Sequence, residues 1–500
     1  MKPGQTATIA IIGAGAKGTG IAEVLTRAGK PVLLFDVDPA AAATAVRRVI
    51  VAIRREIEAG GLKPDRLDLA RQTLRVAHTP AELGEANVVI ECVAENLDLK
   101  RKVLGGIEDW ISTGTALVTN TGWLSVNAVG AHLRSRDRFA GFHFLTPAST
   151  PLVEIIPALT TSPGTIEALQ VLAKGIGHTP IISADLPGFV VAHLNRGLMG
   201  EAARLIESDV ASPPAIDAIL KSSLGLAHGP FELYDMLGLD VVARAARHIW
   251  EGWGGEPRFR DVPLLATRVA AGLTGLDGHD GFYPSSAHGR PVSVPSERSA
   301  LWEGPVFIAQ RYPDLAATAR SMLGHASFVT QPSAKTLNIV TPLGGDTLGE
   351  IVAERLDPTR TVGLDVVLPG NIVPVAHTTM TTLDIRRGAA SLIETTGRKA
   401  VAIQDTPGLI VPRIAAMIAA VGYAMLDKGV ASAIDIEAAA TKALGYGLGP
   451  FALSRKLGPQ RLVDILTSLL TITGDARWRV PTNLRHVALL ADLSESAKAP

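Results

Sequence analysis

The chain has 500 residues, of which 47% are hydrophobic and 19% are charged, and its 48 basic side chains balance its 48 acidic ones. A chain of this length exceeds what one hydrophobic core can hold, so roughly two to four domains are expected. The balanced charge and the lack of a polybasic block argue against nucleic acid or an anionic membrane surface as a primary partner. Because Cys92 is the only cysteine, the sequence predicts no disulfide, no cysteine cluster and no bound metal.

The sequence also predicts where the protein acts. The longest uncharged apolar-rich run, residues 414–426, is shorter than the ~20 residues that a helix needs to cross a bilayer. The first four residues, MKPG, are not followed by the apolar region of a secretory signal. Together with the single cysteine, these features predict a cytoplasmic globular protein.

The first predicted element is a short apolar strand at residues 9–12, and the segment GAGAKG follows it directly at residues 13–18. A helical pattern comes next, and a second strand at residues 31–35 then leads to Asp36. In this strand–turn–helix–strand order, GxGxxG with a later acidic residue is typical of dinucleotide binding. A purely structural turn is less consistent with the helix and the acid together, so we expect a Rossmann-type α/β domain here.

Each residue of this motif has an expected role. Gly13 makes the tight turn, Gly15 lets the backbone approach a pyrophosphate, and Gly18 lets the helix pack closely on the strand. The pyrophosphate would bind at the helix N-terminus, where free N–H groups favour negative charge. Asp36 would accept a hydrogen bond from a ribose 2′-OH and repel a 2′-phosphate, so NAD is predicted rather than NADP.

Two more buried strands are predicted at residues 86–92 and 116–119. Polar side chains lie at the ends of both strands, in ECVAEN at residues 91–96 and in NTGW at residues 120–123. In an open parallel sheet, ligands bind at the carboxyl ends of the strands. We therefore expect both segments to border a ligand site.

Six segments of the chain together point to a known family. They are GAGAKG with Asp36, ENLDLK, TNTGWLS, DRFAGFHFLTP, LVEII and DLPGFV, in this order and at suitable spacing. The chain thereby resembles the NAD-dependent L-3-hydroxyacyl-CoA dehydrogenases over residues 8 to about 283. The resemblance implies NAD as the cofactor, an acyl-CoA as the substrate, and interconversion of a 3-hydroxyacyl-CoA and a 3-oxoacyl-CoA. It also implies an all-α domain after the Rossmann-type domain.

The resemblance further implies a set of site residues. His143 would be the catalytic acid/base and Glu154 the carboxylate that orients it, which suits a side chain that titrates near neutral pH. Glu95 and Lys100 would contact the ribose on the nicotinamide side, and Asn120 would lie near the nicotinamide. A histidine on an apolar strand is otherwise more often a core residue.

The chain departs from the family pattern at substrate and cofactor positions. Gly122 stands where the family has the serine that bonds the substrate oxygen, and Trp123 follows it. Thr146 and Ala192 replace two active-site asparagines, and Asp277 replaces a lysine. Each lost donor costs about 1–3 kcal/mol if its partner stays buried.

We interpret Gly122 and Trp123 as signs of a pocket reshaped for a bulky or cyclic acyl group. Asn195 or Arg196, one helical turn after Ala192, is expected to supply a polar group in its place. The losses also leave two alternatives open: a non-redox lyase or hydrolase that uses the same His-Glu pair on an acyl-CoA, or a non-catalytic homologue that binds NAD or acyl-CoA. The intact pair argues against the second alternative, since binding alone does not require it.

A long helix predicted at residues 40–58 has a basic side. The arginines on it are Arg47, Arg48, Arg54 and Arg55. A solvated helix face is the simpler interpretation. The alternative is a docking surface for the phosphates of a coenzyme A ester.

The chain contains an internal repeat with an offset of 220 residues. Residues 185–191 (DLPGFVV) match residues 405–411 (DTPGLIV), and GPF at 229–231 recurs at 449–451. Both copies have the apolar spacing of helices, with Gly-Pro turns between them. A period of this length predicts a duplicated domain, and the layout resembles the long bacterial members of the family.

The sequence therefore predicts a chain of several segments. They are an NAD-binding Rossmann domain at 1–184, a helical substrate and dimerisation domain at 185–283, a linker at 284–300, a reduced α/β domain at 301–404 and a second helical copy at 405–500. The chain is expected to be either a monomer with an internal pseudo-dimer or a homodimer.

The predicted α/β domain between the helical copies is interpreted as a degenerate copy of the first sheet. Strands are predicted at residues 336–341, 361–367 and 373–376, and a helix is predicted at residues 346–355. No GxGxxG segment occurs there, so no second NAD site is expected. The sequence assigns this domain no function.

Overall fold

The computed structural model describes residues 7–275, 279–287 and 301–496, with residues 287 and 494–496 described by their backbone alone. Asp277 and residues 288–300 of the predicted linker lie outside the described residues. The chain divides into two compact units. The first holds the described residues up to Ala192 together with Gly429–Ala443, and the second holds the others.

The first unit is built on one mixed sheet. Its strands among the described residues are β1 Ile9–Ile12, β2 Val32–Phe35, β3 Leu74–Val76, β4 Val88–Glu91, β5 Ala116–Thr119, β6 Phe139–His143, β7 Leu152–Pro157 and β8 Thr179–Ile182. Their spatial order is β3-β2-β1-β4-β5-β6-β7-β8, and only β6 and β7 pair antiparallel. Because β1 pairs with both β2 and β4, the chain changes direction at β1, which is where such sheets bind ligands.

Helices cover both faces of this sheet. They are α1 Ala16–Arg27, α2 Pro39–Glu58, α3 Asp65–Thr73, α4 Leu97–Ile107, α5 Val126–Gly130 and α6 Pro163–Gly175. Ile9 and Ile11 of β1 are buried in one core with α1, α2 and α6, while Ala10 and Ile12 are buried in a second core with α4 and α5. An all-apolar strand is therefore required, because both of its faces are covered.

The glycine-rich segment makes the tight turn between β1 and α1. Gly13 has a φ of 106°, and a Cβ there would lie 2.8 Å from the carbonyl oxygen of Cys92. A Cβ on Gly18 would collide with the carbonyl oxygen of Gly13. Both positions consequently need glycine, for a left-handed backbone at the first and for close packing at the second.

The second unit contains a smaller sheet. Its strands among the described residues are β9 Pro305–Ile308, β10 Ser327–Val329, β11 Leu337–Val340, β12 Thr361–Leu364, β13 Ile372–His377 and β14 Lys399–Gln404. Their order is β10-β9-β11-β12-β13-β14, with β12 and β13 antiparallel. The predicted reduced α/β unit is thus confirmed, while β9, β10 and β14 were not predicted.

The remaining helices belong to the two helical copies and to the second sheet. They are α7 Val191–Glu207, α8 Pro213–Leu224, α9 Pro230–Leu237, α10 Leu239–Gly252, α11 Pro263–Ala270, α12 Pro313–Ser321, α13 Thr347–Glu354, α14 Leu383–Glu394, α15 Val411–Asp427, α16 Ala433–Ala438, α17 Pro450–Leu457, α18 Pro459–Thr473 and α19 Thr482–Ser496. In the part of the chain that the structure describes, no helix has the length and hydropathy needed to cross a membrane.

The internal repeat is confirmed by the backbone. The same unusual left-handed conformation occurs at equivalent non-glycine positions, with a φ of 47° at Phe189 and 45° at Leu409. The preceding glycines, Gly188 and Gly408, also have positive φ values. A strained φ at a bulky residue is rare, so its recurrence at the predicted offset shows that the two segments fold alike.

At or directly after the last strand of each sheet, the chain hydrogen-bonds to backbone of the helical copy from the other repeat. In the first unit, Ala184 N donates to Val430 O at 2.8 Å, and in the second unit Gln404 N donates to Val210 O at 2.9 Å. These two bonds are equivalent under the 220-residue offset. Helix α16 accordingly packs on β8, and α8 packs on β13. Gly429–Ala443, a part of the predicted second helical copy at 405–500, belongs to the first compact unit.

Candidate active site

His143 and Glu154 lie directly opposite each other on the antiparallel strands β6 and β7. Opposed residues project from the same face of a sheet. The Nδ1 atom of His143 lies 2.7 Å from Oε2 of Glu154. Both side chains are buried, with 6% and 1% of their surface exposed. The strand register alone therefore brings the two predicted residues together.

The other oxygen of Glu154 is held by the start of α7. Its Oε1 accepts hydrogen bonds from the backbone N–H groups of Val190 and Val191, both at 2.9 Å. A helix N-terminus favours a carboxylate at this position. Since a carboxylate only accepts hydrogen bonds, Nδ1 of His143 carries the proton and Nε2 has a free lone pair. The arrangement can therefore act as a base at Nε2.

Asn120, directly after β5, joins two strand ends. Its backbone N–H donates to the carbonyl of Glu91 at 2.8 Å, and its Oδ1 accepts the N–H of Phe144 at 2.8 Å. The side chain thereby ties the end of β5 to the residue that follows His143. Asn120 is buried, and it lies at the sheet edge where the sequence placed a ligand.

Gly122 lies against the histidine. A Cβ on Gly122 would lie 3.4 Å from Nε2 of His143. Its backbone N–H donates to Oε1 of Glu95 at 3.1 Å, and Trp123 beside it is half-buried. A side chain at the position where the sequence lacks the expected serine would therefore contact Nε2 of His143.

Lys100 lies in an ion pair rather than on an open surface. Its Nζ lies 2.9 Å and 3.1 Å from the two carboxylate oxygens of Glu91, and 3.4 Å from Oε2 of Glu95. Only 1% of Lys100 is exposed, whereas Glu95 is half-buried. Glu95 is thus the more accessible of the two residues predicted to contact the ribose.

The glycine-rich turn fits a dinucleotide. Oδ2 of Asp36 accepts the N–H of Ala14 at 2.7 Å, which places the acid beside the turn. No side chain caps the first turn of α1, and nothing lies within 4 Å of where a Cβ on Gly15 would be. A cavity of about 310 Å³ next to the turn is lined by Ala14, Asp38, Ala40, Ala41, Thr44, Ala45 and Arg48. Free amides, an open approach and a positioned acid are what a pyrophosphate and its ribose require.

Lys17, inside the glycine-rich segment, was not singled out from the sequence. Its ammonium donates to the carbonyl oxygens of Leu145 and Phe144. Three residues further along α1, a Cβ on Gly20 would lie 3.3 Å from Pro147. The segment after His143 is thereby fixed against the same helix that begins at the predicted cofactor turn.

Three further predicted pocket residues have defined surroundings. Thr146 shares a hydrogen bond with the hydroxyl of Thr150, and Ala192 is half-buried in the first turn of α7. Asn195 is buried, with its Nδ2 at 2.8 Å from the sulfur of Met199 and its Oδ1 accepting from the hydroxyl of Tyr446 at 3.4 Å.

Because both polar atoms of Asn195 have partners within the second unit, the expectation that it replaces a family asparagine gains no support. Nη2 of Arg196 likewise lies 3.9 Å from the sulfur of Met199.

The basic side of α2 has the character of a solvated face. The side chains of Arg47, Arg48, Arg54 and Arg55 are all exposed. Arg47 donates to the hydroxyl of Thr44 at 2.8 Å. The docking alternative stays a prediction.

The second sheet lacks the pair that defines the first. Gly363 pairs with Ala376 where Gly141 pairs with Ile156, so Asp365 takes the place of His143 and Pro374 the place of Glu154. Oδ2 of Asp365 accepts the N–H groups of Ile410 and Val411 at 3.2 Å and 2.8 Å.

In this second copy a carboxylate again accepts hydrogen bonds at the N-terminus of a helix, here α15. The carboxylate follows β12, the counterpart of β6, whereas in the first copy it lies on β7. A Cβ on Gly344 would also lie 2.8 Å from the Cα of Ile465 in α18, so helix α18 covers the carboxyl end of β11. The prediction of a degenerate copy agrees with both observations.

Two family models together match most of the chain, outside residues 286–407. The model described as the 3-hydroxyacyl-CoA dehydrogenase NAD-binding domain matches residues 8–186, and the model of the C-terminal domain matches twice, at 188–285 and 408–499. The double match agrees with the internal repeat.

Known proteins with both short and long chains are similar. The 3-hydroxyadipyl-CoA dehydrogenase of Escherichia coli is 30% identical over 98% of this chain and 99% of its own. The human mitochondrial hydroxyacyl-coenzyme A dehydrogenase is 31% identical over 55% of this chain and 90% of its own. A crystal structure of 3-hydroxybutyryl-CoA dehydrogenase from Escherichia coli K12 covers 97% of this chain and 99% of its own, with a TM-score of 0.85 and 27% identity. The chain therefore belongs to the family of NAD-dependent 3-hydroxyacyl-CoA dehydrogenases.

Proposed function

We propose that this enzyme interconverts a 3-hydroxyacyl-CoA and a 3-oxoacyl-CoA whose acyl group is bulky or cyclic. The observation that carries the proposal is the position of Gly122 beside the His143 ring. A Cβ at Gly122 would lie 3.4 Å from Nε2, so a serine there would place its side chain against the base. Without that side chain, the substrate would have more room beside Nε2. Trp123, half-buried next to Gly122, would form an aromatic wall.

His143 would move the proton of the reaction. In the oxidative direction its Nε2 takes the proton of the 3-hydroxyl group, and in the reductive direction it returns that proton to the carbonyl oxygen. Glu154 keeps the proton of the neutral ring on Nδ1 and stabilises the positive charge that the ring acquires. NAD, when bound, would accept the hydride from the substrate carbon that carries the 3-hydroxyl group.

Residues at three strand ends would hold the cofactor. Gly13, Gly15 and Gly18 would form the pyrophosphate turn, and Asp36 would bind the ribose on the adenine side. Glu95 would bind the other ribose. This role is supported by its half-buried position after β4 and by its hydrogen bond to the Gly122 amide. The nicotinamide would then lie near Asn120 and His143.

The proposal is tested with a series of 3-oxoacyl-CoA substrates and NADH. Acetoacetyl-CoA serves as the small member, 3-oxoadipyl-CoA as the extended member, and a 3-oxoacyl-CoA with a ring as the bulky member. We expect kcat/KM for the bulky member to exceed that for acetoacetyl-CoA by about tenfold or more, which is the discrimination that a shaped pocket supplies. A preference for acetoacetyl-CoA would overturn the proposed acyl specificity.

The same experiment separates the alternatives. If no member of the series oxidises NADH, the enzyme is not acting as a dehydrogenase on these substrates. Release of free thiol from the acyl-CoA would then indicate a hydrolase. Binding of NAD without any turnover would indicate a homologue without catalytic activity.

We propose further that the chain is monomeric, with one helical copy taking the place of a partner subunit for the other. Within the second unit, α7 and α15 approach so closely that a Cβ on Gly197 would lie 3.2 Å from the carbonyl oxygen of Met417. Ala227 N donates to Gly445 O at 2.8 Å between the copies. Light scattering should give the mass of one chain, and a mass of two chains would indicate the homodimer instead.

We propose a cytoplasmic location as well. A chain with one cysteine cannot form the intrachain disulfides that are common in proteins of oxidising compartments. A fluorescent fusion in the source cell would test the location. Signal confined to an exported fraction would contradict it.

A further inference from the structure

A charged pair is buried under the site, and the proposed proton transfer does not use it. Glu91 is the last residue of β4 and has no exposed surface, and Lys100 on α4 has 1% exposed. Removing two ions from water is costly, and apolar residues of similar volume often give equal or greater stability. A fold that needed only stability here would be served by such residues. The pair therefore calls for a role beyond packing.

Glu91 is fixed from every side. Its Oε1 accepts the N–H of Val93 at 2.7 Å, and its Oε2 accepts the hydroxyl of Thr119 at 2.6 Å. Both oxygens also contact Nζ of Lys100. Burial raises the pKa of Glu91, while the Lys100 charge and the Thr119 hydroxyl act in the opposite direction. The carboxylate is thus a rigid anchor for the lysine.

Lys100 extends this anchor toward the histidine. Its Nζ lies 3.4 Å from Oε2 of Glu95. The other oxygen of Glu95 accepts the N–H of Gly122 at 3.1 Å and the hydroxyl of Thr121. A row of alternating charges therefore runs from the end of β4 to the turn after β5.

The row of charges ends at the Gly122 amide, beside Nε2 of His143. Gly122 is the residue whose Cβ would contact Nε2 of His143. A glycine has no side chain with which to anchor itself, so the hydrogen bond from its amide to Glu95 carries that task. The same Glu95 is placed to meet the ribose of the cofactor.

We propose that Glu91 is a positioning residue that acts through Lys100. It holds the Glu95 carboxylate on the turn formed by Asn120, Thr121 and Gly122, and thereby fixes the pocket wall beside Nε2 of His143. This inference rests on the proposed function, because the wall matters only if a substrate reacts there. Without Glu91, the ammonium of Lys100 draws the Glu95 carboxylate away from the Gly122 amide.

The test compares Glu91→Gln with a matched control. Glu108 is also a buried carboxylate of the first unit, with Arg138 3.6 Å away and the N–H groups of Arg134 and Ser135 as donors. Among the hydrogen bonds of the described residues, none joins its side chain to the Gly122 turn. Glu108→Gln therefore removes a buried charge of the same kind without touching the anchor. Both variants are expected to lower Tm.

The kinetic readout separates position from stability. We expect Glu91→Gln to lower kcat about tenfold or more, as a small misplacement of reacting groups does, with a smaller change in KM for the acyl-CoA. Glu108→Gln should keep the wild-type kcat. Lys100→Gln should match Glu91→Gln, and the double variant should be no worse than either, because the two residues act as a unit. A kcat equal to that of Glu108→Gln, or additive losses in the double variant, would overturn the inference.

A spectroscopic readout keeps the inference separate from the proposed function. Trp123 is the neighbour of Gly122, and its fluorescence is obtained as the difference between the chain and Trp123→Phe. NAD should change this signal in the wild type and in Glu108→Gln but not in Glu91→Gln. If no acyl-CoA is turned over, the proposed function fails, yet this comparison still decides whether Glu91 positions the turn. An identical signal in Glu91→Gln and Glu108→Gln would refute the positioning role.

Discussion

Nδ1 of His143 lies 2.7 Å from Oε2 of Glu154, and the strand register places the two residues directly opposite each other. In the second sheet the same register places Asp365 opposite Pro374, whose carbonyl accepts the N–H of Asp365 at 3.2 Å. One copy of the repeat thus has an imidazole with a carboxylate behind it, and the other has a carboxylate that only caps a helix. The proposed proton transfer therefore belongs to the first sheet.

Glu154→Gln should reduce turnover while leaving the fold intact. The amide oxygen can keep the bonds to Val190 and Val191, but the amide NH₂ group must donate to Nδ1 of His143. The ring proton then moves to Nε2, which can no longer act as a base. We expect kcat to fall about a hundredfold or more, measured by NADH oxidation with a 3-oxoacyl-CoA. The NAD dissociation constant should not change, and an unaltered kcat would contradict the assigned role of Glu154.

Gly122→Ser should shift the acyl preference. The added side chain would occupy the volume next to Nε2 of His143, where the Cβ alone lies 3.4 Å away. We expect kcat/KM for a ring-containing 3-oxoacyl-CoA to fall about tenfold, while that for acetoacetyl-CoA stays constant or rises. Competition between the two substrates measures the ratio directly. A ratio equal to that of the wild type would show that Gly122 does not shape the pocket.

Asp36→Ala should weaken the preference for NAD over NADP. The substitution removes the carboxylate that is fixed by the N–H of Ala14 and that would repel a 2′-phosphate. KM for NAD is expected to rise about tenfold, and KM for NADP to fall. Asp65→Ala, at an exposed acid of the same unit, is the control for a general change in charge. Unchanged KM values for both cofactors would remove Asp36 from the site.

Asp365→Asn should change how stability depends on pH. Burial raises the pKa of Asp365 from 3.8 to about 7, so the folded state keeps a proton that the unfolded chain has lost. The free energy of unfolding should therefore fall by up to about 1.4 kcal/mol per pH unit as the pH rises from 3.8 to about 7. The asparagine variant lacks this loss and should be the more stable protein at pH 8. Urea unfolding of both proteins across the window tests this, and parallel curves would contradict it.

Glu201→Gln should destabilise the contact between the helical copies. The buried carboxylate on α7 lies 2.5 Å from Nε of Arg413, 3.2 Å from Arg477 and 3.3 Å from Arg204. Removing one partner of a buried ionic cluster costs about 3–5 kcal/mol, which denaturant unfolding would measure. Glu251→Gln, at an exposed position, serves as the control.

The pH dependence of this cluster has a defined sign. Burial alone would raise the pKa of Glu201, but Arg413, Arg204 and Arg477 together hold it below 4.5. Its stabilisation is therefore present above pH 4.5 and is lost as the pH falls further. The glutamine variant should lose less stability in acid than the wild type, and an equal loss would contradict the assignment.

Local patterns made the first sheet predictable. The strand over Ile9–Ile12 and the glycine-rich turn depend on residues close in sequence, and the structure has both as predicted. The pairing of His143 with Glu154 followed from a family resemblance, and the hairpin-like register of two adjacent strands explains it. Strand Pro305–Ile308, in contrast, begins with a proline, and Ser327–Val329 has only three residues, so neither has a recognisable period.

Long-range contacts could not be read from the chain. Lys100 looks like any lysine on an amphipathic helix, and only the fold shows that its ammonium is buried against Glu91. Gly429–Ala443 belongs to the same compact unit as the first sheet, although the two are far apart in sequence. No local pattern encodes such a contact. Asn195 was expected to contribute to the site because it lies one helical turn after Ala192. That spacing does not show that the Oδ1 of Asn195 accepts a hydrogen bond from the hydroxyl of Tyr446.

The central claim is that His143 is the base, held by Glu154 beside the bound nicotinamide. It is tested most directly by the single-turnover oxidation of bound NADH with a 3-oxoacyl-CoA, in the wild type and in His143→Gln. Both proteins should bind NADH equally, and the variant should react about a hundred to ten thousand times more slowly. Equal rates in the two proteins would contradict it.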